Sequence, residues 1–489
     1  VGRPRVSPHL VKPTVFLLLV AGLPGCATAP SVVRPTSARP VLLVRDAVTA
    51  EAARGVWRSR GYGYVLTVSA KDLTLHHATA AGCYPQPGED PGALSGFVYV
   101  MPDSTPDTLS LSTVPGDTRY LFERLPVLPP ECSANTAWTP PRLFELFAAT
   151  FTEHYAFFAE RHVDFSARVS ALRPGITDAT EARALFGTFQ ALTTGLGDAH
   201  TRLTAEVDGE TLGYGEGEAR TLEHVDAEGK KAGRASRDAQ RAWLTAYRDG
   251  ILQGVLKGTG HHVANKRIFH GLVGDVGYLN VVTMGGYVDG DDVPLREELR
   301  VLDEALDTAL QSFQGARAVI VDVSNNRGGH DVISRAIAAR FTDTRRLAYT
   351  KVPFNSAVPP QPFHVEPASG PRYTGPVYLV TSDITVSAGE IFTLAMRALP
   401  NVTHVGTTTR GALSDVLVKP LPNGWSVELS NERYLDPKGQ LFEARGIPPQ
   451  QELEVFPEED LHNGHARAVL SVVEAATGQR DAVQGGARR

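Results

Sequence analysis

From residue 266 to about residue 400 the chain alternates short apolar runs with stretches of helical period. Residues 276–282, 318–323 and 377–381 carry few polar side chains, so each reads as a strand covered on both faces. Between them, residues 294–313 put Leu295, Leu299, Leu302, Leu306 and Leu310 on one helical face, and residues 332–341 and 391–399 also read as helices. Strands and helices in alternation bury their apolar faces by packing helices on a sheet. The fold class expected is therefore α/β, with a layered core over residues 266–477.

The chain before this core reads differently. Residues 41–130 hold short strand-like runs bounded by Gly, Pro and Asp, among them Leu73-Thr74-Leu75-His76 and Gly96-Phe97-Val98-Tyr99-Val100. They predict a small β-rich domain, a barrel or a sandwich. His76 and His77 are neighbours, and on a strand they point to opposite faces, which removes a shared metal role. Residues 139–204 predict a helical region. Its first helix has proline in the opening turn and Leu143, Leu146, Phe147, Phe151, Tyr155 and Phe158 at helical spacing. A second helix, with Leu185, Phe189 and Leu192 on one face, ends at Gly195-Leu196-Gly197-Asp198-Ala199-His200-Thr201. Residues 205–265 are polar and glycine-rich and carry no assignment beyond one helix around 240–256. A closing helix is expected over 460–477, with His462 and His465 on its solvated side, followed by a polar tail at 478–489.

The first residues predict export. Arg3, Arg5 and Lys12 precede an apolar run at 15–23, and Leu23-Pro24-Gly25-Cys26 follows. This describes a secretory signal over residues 1–26. It resembles a bacterial lipobox, in which Cys26 would be lipidated, although Pro24 is unusual there and ordinary cleavage nearby is the alternative. The proline-containing residues 27–40 read as a tether. Membrane contact is expected through that lipid alone, on the periplasmic face of an outer membrane if the cell has one. A formal net charge of −6, with no basic stripe, argues against a nucleic-acid partner. Beyond Cys26 the chain has only Cys83 and Cys132, which in an exported protein can form a disulfide. Two buried thiols are the alternative, and the pair fits no zinc signature.

Three loops hold the reactive residue types. Thr385-Val386-Ser387-Ala388-Gly389-Glu390 joins an apolar strand to a helix. A serine at that turn sits at the positive end of the helix, among unpaired N–H groups, and serves there either as an N-cap or as a nucleophile. His200 lies in the loop past a helix end. Asp322-Val323-Ser324-Asn325-Asn326-Arg327-Gly328-Gly329 follows a buried strand, and adjacent glycines let backbone N–H groups converge as an oxyanion hole requires. Together these loops can supply nucleophile, base and oxyanion donors.

At this point the chain resembles the C-terminal processing (tail-specific) protease family. The Asn326-Arg327-Gly328-Gly329 loop, the Ser387 turn, Gly406-Thr407-Thr408-Thr409-Arg410-Gly411 and Phe442-Glu443-Ala444-Arg445-Gly446-Ile447-Pro448-Pro449 match that family's segments in order, within a resemblance covering roughly 140–475. The resemblance implies a crotonase/Clp-like α/β protease core and a peptide or protein substrate, and no metal or organic cofactor is required. Processing proteases pair the serine with a lysine about twenty-five positions on, and that place is Ala412 here; Lys419 is the nearest downstream lysine and lies outside the motif. The chain is instead similar to the branch of the tricorn core and the interphotoreceptor retinoid-binding proteins, where Asp-x-His-Thr precedes the core. That likeness implies Ser387 as nucleophile, His200 as general base and Glu443 as the group that orients the imidazole, with Asp198 the alternative orienter because Ala199 replaces a relay serine. Gly328 or Gly329 would hold the oxyanion together with Ala388. The activity expected is an exported serine-type peptidase. A binding lipoprotein on the same fold and an esterase are the alternatives.

Overall fold

Five parallel strands form the larger part of a seven-stranded sheet. In spatial order it runs His261–Val263, Ile268–Val273, Val276–Val281, Ala318–Asp322, Val377–Thr381, Val402–Gly406 and Gln451–Glu452. The first two strands are antiparallel additions, and the pairings from Val276–Val281 onward are parallel. The computed structural model describes residues 39–88, 96–290 and 293–478. The signal sequence with Cys26, nearly all of the tether, and the polar tail beyond 478 lie outside the described residues.

Nine helices are found among the described residues: α1 (Pro140–His154), α2 (Phe165–Leu172), α3 (Ala182–Thr193), α4 (Arg220–Lys231), α5 (Ser236–Asp249), α6 (Leu295–Ser312), α7 (Asp331–Ala338), α8 (Ala388–Arg397) and α9 (Gly464–Thr477). One face of the parallel sheet packs on α6, α7 and α8 through Leu302, Leu306, Ile337, Ile391 and Phe392, all buried. The opposite face packs on α5 and α9 through Trp243, Tyr247, Val469 and Val472. Burial on both sides explains why these strands are almost wholly apolar in sequence. No helix among the described residues is long and apolar enough to cross a membrane.

The chain is mixed α/β with a β-rich N-terminal region. Eight strands between Val41 and Leu125 form one sheet in which every pairing is antiparallel, and Val44–Arg45 and Val48–Thr49 pair as a separate two-stranded sheet. Its own core gathers around Trp57, Leu66, Leu109 and Phe122. Cys83 and Cys132 are joined by a disulfide that ties its last meander strand to the chain ahead of α1. The aromatic stripe of α1 packs with α3, and Tyr62 and Tyr84 of the N-terminal region join that cluster.

Residues 205–265 hold more structure than their composition signals. The strands Arg202–Val207 and Glu210–Gly215 extend a four-stranded sheet that continues through Ser426–Ser430 to Val416–Pro420. Two helices follow, α4 and α5, the second running into a π-turn at Gly250–Val255. The four-stranded sheet matters for the site because it ties the strand after His200 to the strands after Ala412.

His465 corrects an expectation. It is buried, and its Nε2 lies 2.7 Å from Asp322 Oδ2, which also accepts the Tyr278 hydroxyl at 2.6 Å. The helical spacing of His462 and His465 concealed a partner distant in sequence. His462 does remain on the solvated side.

Candidate active site

Ser387 stands at the N-terminus of α8 with φ 59° and ψ −129°, a region that side-chain-bearing residues rarely occupy. Its N–H donates to Ala412 O at 2.9 Å, and its carbonyl accepts from Glu390 N at 2.7 Å and Ile391 N at 3.1 Å. Its side chain makes no capping hydrogen bond. A serine used as an N-cap would turn its hydroxyl onto the helix amides. Here the backbone is held by others and the hydroxyl is left over. Strain of this kind persists only where surroundings over-determine it.

Those surroundings are the loop after the strand Ala318–Asp322. Val386 N donates to Asn326 O at 3.1 Å, the Thr385 hydroxyl to Val323 O at 2.8 Å, and the Ser382 hydroxyl to Ser324 O at 2.6 Å. Gly328 lies against the serine: a Cβ there would stand 2.6 Å from Ser387 Cβ and 3.0 Å from Oγ. Gly329 passes so close to Met284 that an added Cβ would meet its carbonyl oxygen at 2.1 Å.

The expected oxyanion donors separate. Gly328 N–H donates to Asn326 Oδ1 at 2.9 Å, while Asn326 Nδ2 donates to Val281 O at 2.9 Å. The side chain of Asn326 therefore consumes the Gly328 amide, which corrects its candidacy. The N–H groups of Gly329 and Ala388 have no acceptor among the described residues. The first belongs to an exposed loop residue and the second to the first turn of α8.

His200 sits in a turn fastened by its own neighbours. Asp198 Oδ1 accepts the backbone N–H of His200 at 2.9 Å, and Asp198 Oδ2 accepts the Tyr155 hydroxyl at 2.9 Å. Glu216 accepts the amides of Gly195 and Gly197. Burial pushes the imidazole below its ordinary range, against the charges of Asp198 and Asp415 and a hydrogen bond with the backbone of Ser414, which pull it up. Nδ1 is buried without a partner among the described residues.

Neither expected orienter hydrogen-bonds the imidazole. Glu443, 3% exposed, accepts Leu413 N at 2.8 Å and Ser414 N at 3.1 Å on Oε2, and Arg161 Nη2 at 3.1 Å on Oε1. Asp198 serves the backbone of the His200 turn instead. Burial, with Asp198 adding to it, pushes the Glu443 carboxyl up to about 8. The segment Ala412-Leu413-Ser414 thus binds Ser387 N at one end, and at the other the backbone of Ser414 lies near His200. Glu390 supports that segment from α8: it accepts Thr409 Oγ1 at 2.6 Å and the amides of Gly411 and Ala412 at 2.8 Å each.

Neither nearby lysine is free. Lys419 is buried, its Nζ 2.6 Å from Tyr62 O and 3.1 Å from Gly63 O. Lys351 Nζ lies 2.6 Å from Asp415 and 2.9 Å from Glu432, and these carboxylates, outweighing burial, hold its pKa well above the ordinary range. Among the described residues no group of His, Cys, Asp and Glu is arranged to hold a metal.

Sequence reasoning missed Arg161 and the work of Glu390. Arg161 lies between Phe157-Phe158 and Phe165, and an arginine embedded in an aromatic stretch was the one signal available. Glu390 was visible only as the last letter of a motif.

The model of peptidase family S41 matches residues 275–453. No curated protein matches the chain. Among solved structures, a Parabacteroides merdae protein described as a "putative peptidase" aligns with 23% identity and a TM-score of 0.54, over 69% of this chain and 96% of that one. Mature CPAF aligns with 13% identity and a TM-score of 0.49, over 70% of this chain and 98% of that one. The tricorn protease aligns with 14% identity and a TM-score of 0.41, over 85% of this chain and 45% of that one. Residues 275–453, the part of the chain that resembles peptidase family S41, carry Ser387, Gly329 and Glu443.

Proposed function

We propose that the chain is an exported serine peptidase that cleaves peptide bonds through an acyl-enzyme on Ser387, with His200 as general base. The observation that carries this reading is the strained Ser387 with an unused hydroxyl, beside two amides that have no acceptor among the described residues. His200 takes the hydroxyl proton as Oγ attacks the substrate carbonyl carbon. The N–H groups of Gly329 and Ala388 hold the resulting oxyanion. The tetrahedral intermediate expels the amine, which receives the proton from His200, and water then releases the acyl group by the reverse sequence. An imidazole held below its ordinary range by burial is neutral near pH 7, the state a base needs.

In this reading Glu443 acts one step away from the imidazole, by fixing the amides of Leu413 and Ser414. The positions of Lys419 and Lys351 support a histidine base over a Ser–Lys pair, as in the tricorn-like branch. The disulfide supports export, since such bonds persist in oxidising compartments. Lipidation of Cys26 completes the reading, and loss of lipid incorporation in Cys26→Ser checks it.

The test is covalent labelling by a fluorophosphonate probe, with the adduct located by mass spectrometry. An adduct on Ser387 that disappears in His200→Ala is expected. A folded protein that takes no adduct would instead favour a binding role.

A further inference from the structure

The guanidinium of Arg161 reaches both halves of the candidate site. It follows α1 in the chain, and its side chain is 7% exposed. On one side Nη1 donates to Leu196 O at 3.1 Å and Gly197 O at 2.7 Å, and Nη2 lies 3.5 Å from Asp198 Oδ1. These three residues build the turn that carries His200. On the other side Nη2 donates to Gly411 O at 3.2 Å and to Glu443 Oε1 at 3.1 Å. Gly411 precedes Ala412, whose carbonyl fixes Ser387 N, and Glu443 fixes the Ser414 amide beside the imidazole.

We propose that Arg161 is the positioning residue that sets the His200 turn against the segment holding Ser387. The inference rests on the Ser387–His200 reading above. A planar fork of five donors suits acceptors on two separate segments, whereas an ammonium on a flexible stem cannot span them in one geometry.

The charge of Arg161 has a second consequence. The charged groups around the imidazole are Asp198 from its own turn, Arg161 from the chain after α1, and Asp415 from the start of the strand Val416–Pro420. Lys351 pairs with Asp415, while Glu443 and Tyr155 lie around Arg161 and Asp198. Arg161 opposes the pull of the two carboxylates on His200. Without it, Asp198 acts on the imidazole uncompensated, and the protonated form gains.

The experiment measures the rate of Ser387 labelling by the fluorophosphonate against pH, on the full chain, in wild type, Arg161→Gln and Arg161→Lys. Labelling falls at acid pH as the base protonates. For Arg161→Gln that fall should move to higher pH by about one unit, because an opposing charge is gone. Its plateau should drop by about a hundredfold, because the reacting groups are misplaced. Arg161→Lys keeps the charge, so its acid fall should stay in place while its plateau drops. A structural role alone would lower both plateaus without moving the acid fall of the glutamine variant. That outcome, or wild-type rates in either variant, overturns the proposal. If the glutamine variant does not fold, Arg161→Met, which also removes the charge, is read in its place. An unlabelled wild type would instead remove the Ser387–His200 reading beneath it.

Discussion

Gly328→Ala separates the two costs concentrated at Ser387. The residue has φ +90°, where an alanine costs about 1–2 kcal/mol from its own backbone. The new Cβ would also stand 2.6 Å from Ser387 Cβ, against the 3.4 Å or more of ordinary contact, so the serine or its loop must yield by roughly 0.8 Å. Retreat is blocked, because Ser387 N is bonded to Ala412 O and its neighbour Val386 to Asn326 O. A displacement near 1 Å at a reacting atom costs on the order of a hundredfold in rate, or about 2.7 kcal/mol of barrier. Gly424→Ala is the control: it has φ +83° and nothing within 4 Å of an added Cβ, so it carries the backbone cost alone. Urea denaturation should show a loss of about 1–2 kcal/mol for Gly424→Ala and a larger loss for Gly328→Ala. The second-order rate constant of fluorophosphonate labelling should fall about a hundredfold in Gly328→Ala and stay unchanged in the control. Labelling of Gly328→Ala within threefold of wild type would refute the claim that contact with Gly328 fixes the nucleophile.

The same geometry makes Ser387→Gly more stable than Ser387→Ala by about 1 kcal/mol in urea, since φ 59° with ψ −129° suits only a residue without Cβ; both variants should lose turnover while keeping the fold. Lys419→Met should label Ser387 as fast as wild type, and loss of labelling in that variant, once shown to be folded, would bring a lysine base back. Glu443 and Glu390 have carboxyls pushed up to about 8 and about 7 by burial. A folded-state pKa above the unfolded one means that the native state holds the extra proton, so their contribution is present below about pH 4.5 and is lost as pH rises toward 8. The slope reaches at most about 1.4 kcal/mol per pH unit for each proton. Glu443→Gln should flatten stability between pH 5 and 8 in denaturation curves, and an unchanged slope would show that its proton is not held. Reduction of the Cys83–Cys132 bond, which spans a sequence separation of 49, should cost about 4 kcal/mol by loop entropy, read as an earlier urea midpoint with dithiothreitol.

The layered core was legible because its signal is local. Apolar runs such as Ala318–Asp322 and the leucine face of α6 announce buried elements wherever they occur. The Ser387 turn was legible as a position, but the sequence left open whether its hydroxyl caps the helix. Only the backbone angles and the bonds to Ala412 and Asn326 separate those roles. What the sequence hid was pairing at long range. His465 reads as a surface residue of α9 until Asp322, 143 positions away, is brought to it. Glu443 matched a motif, yet its oxygens go to Arg161 and to amides thirty and twenty-nine positions away, which no spacing rule encodes. The Gly328 amide was a fair oxyanion candidate until the Asn326 side chain took it. Within 205–265, α5 overlaps the helix expected around 240–256, whereas α4 was obscured by its polarity, because only a narrow stripe of it, with Leu222 and Val225, is buried.

The proposed machinery also divides unevenly along the chain, and the division bears on what the family match means. The S41 match covers residues 275–453, which hold the nucleophile, both unpaired amides and Glu443. His200, Asp198 and Arg161 all precede it. The two parts meet through the pairing of Arg202–Val207 with Ser426–Ser430 and through the guanidinium that joins Leu196, Gly197 and Asp198 to Gly411 and Glu443. A protein can therefore keep every feature of the matched core and still lack the base. On the proposed reading, the turn at 195–201 and how firmly it is held decide whether such a core hydrolyses or only binds, so the cleanest variant for separating the two readings is His200→Ala. It leaves the matched core untouched. If Ser387 still labels at the wild-type rate there, the base lies within the core and the assignment of His200 fails; if labelling vanishes while urea stability is retained, the helical region is part of the catalytic unit.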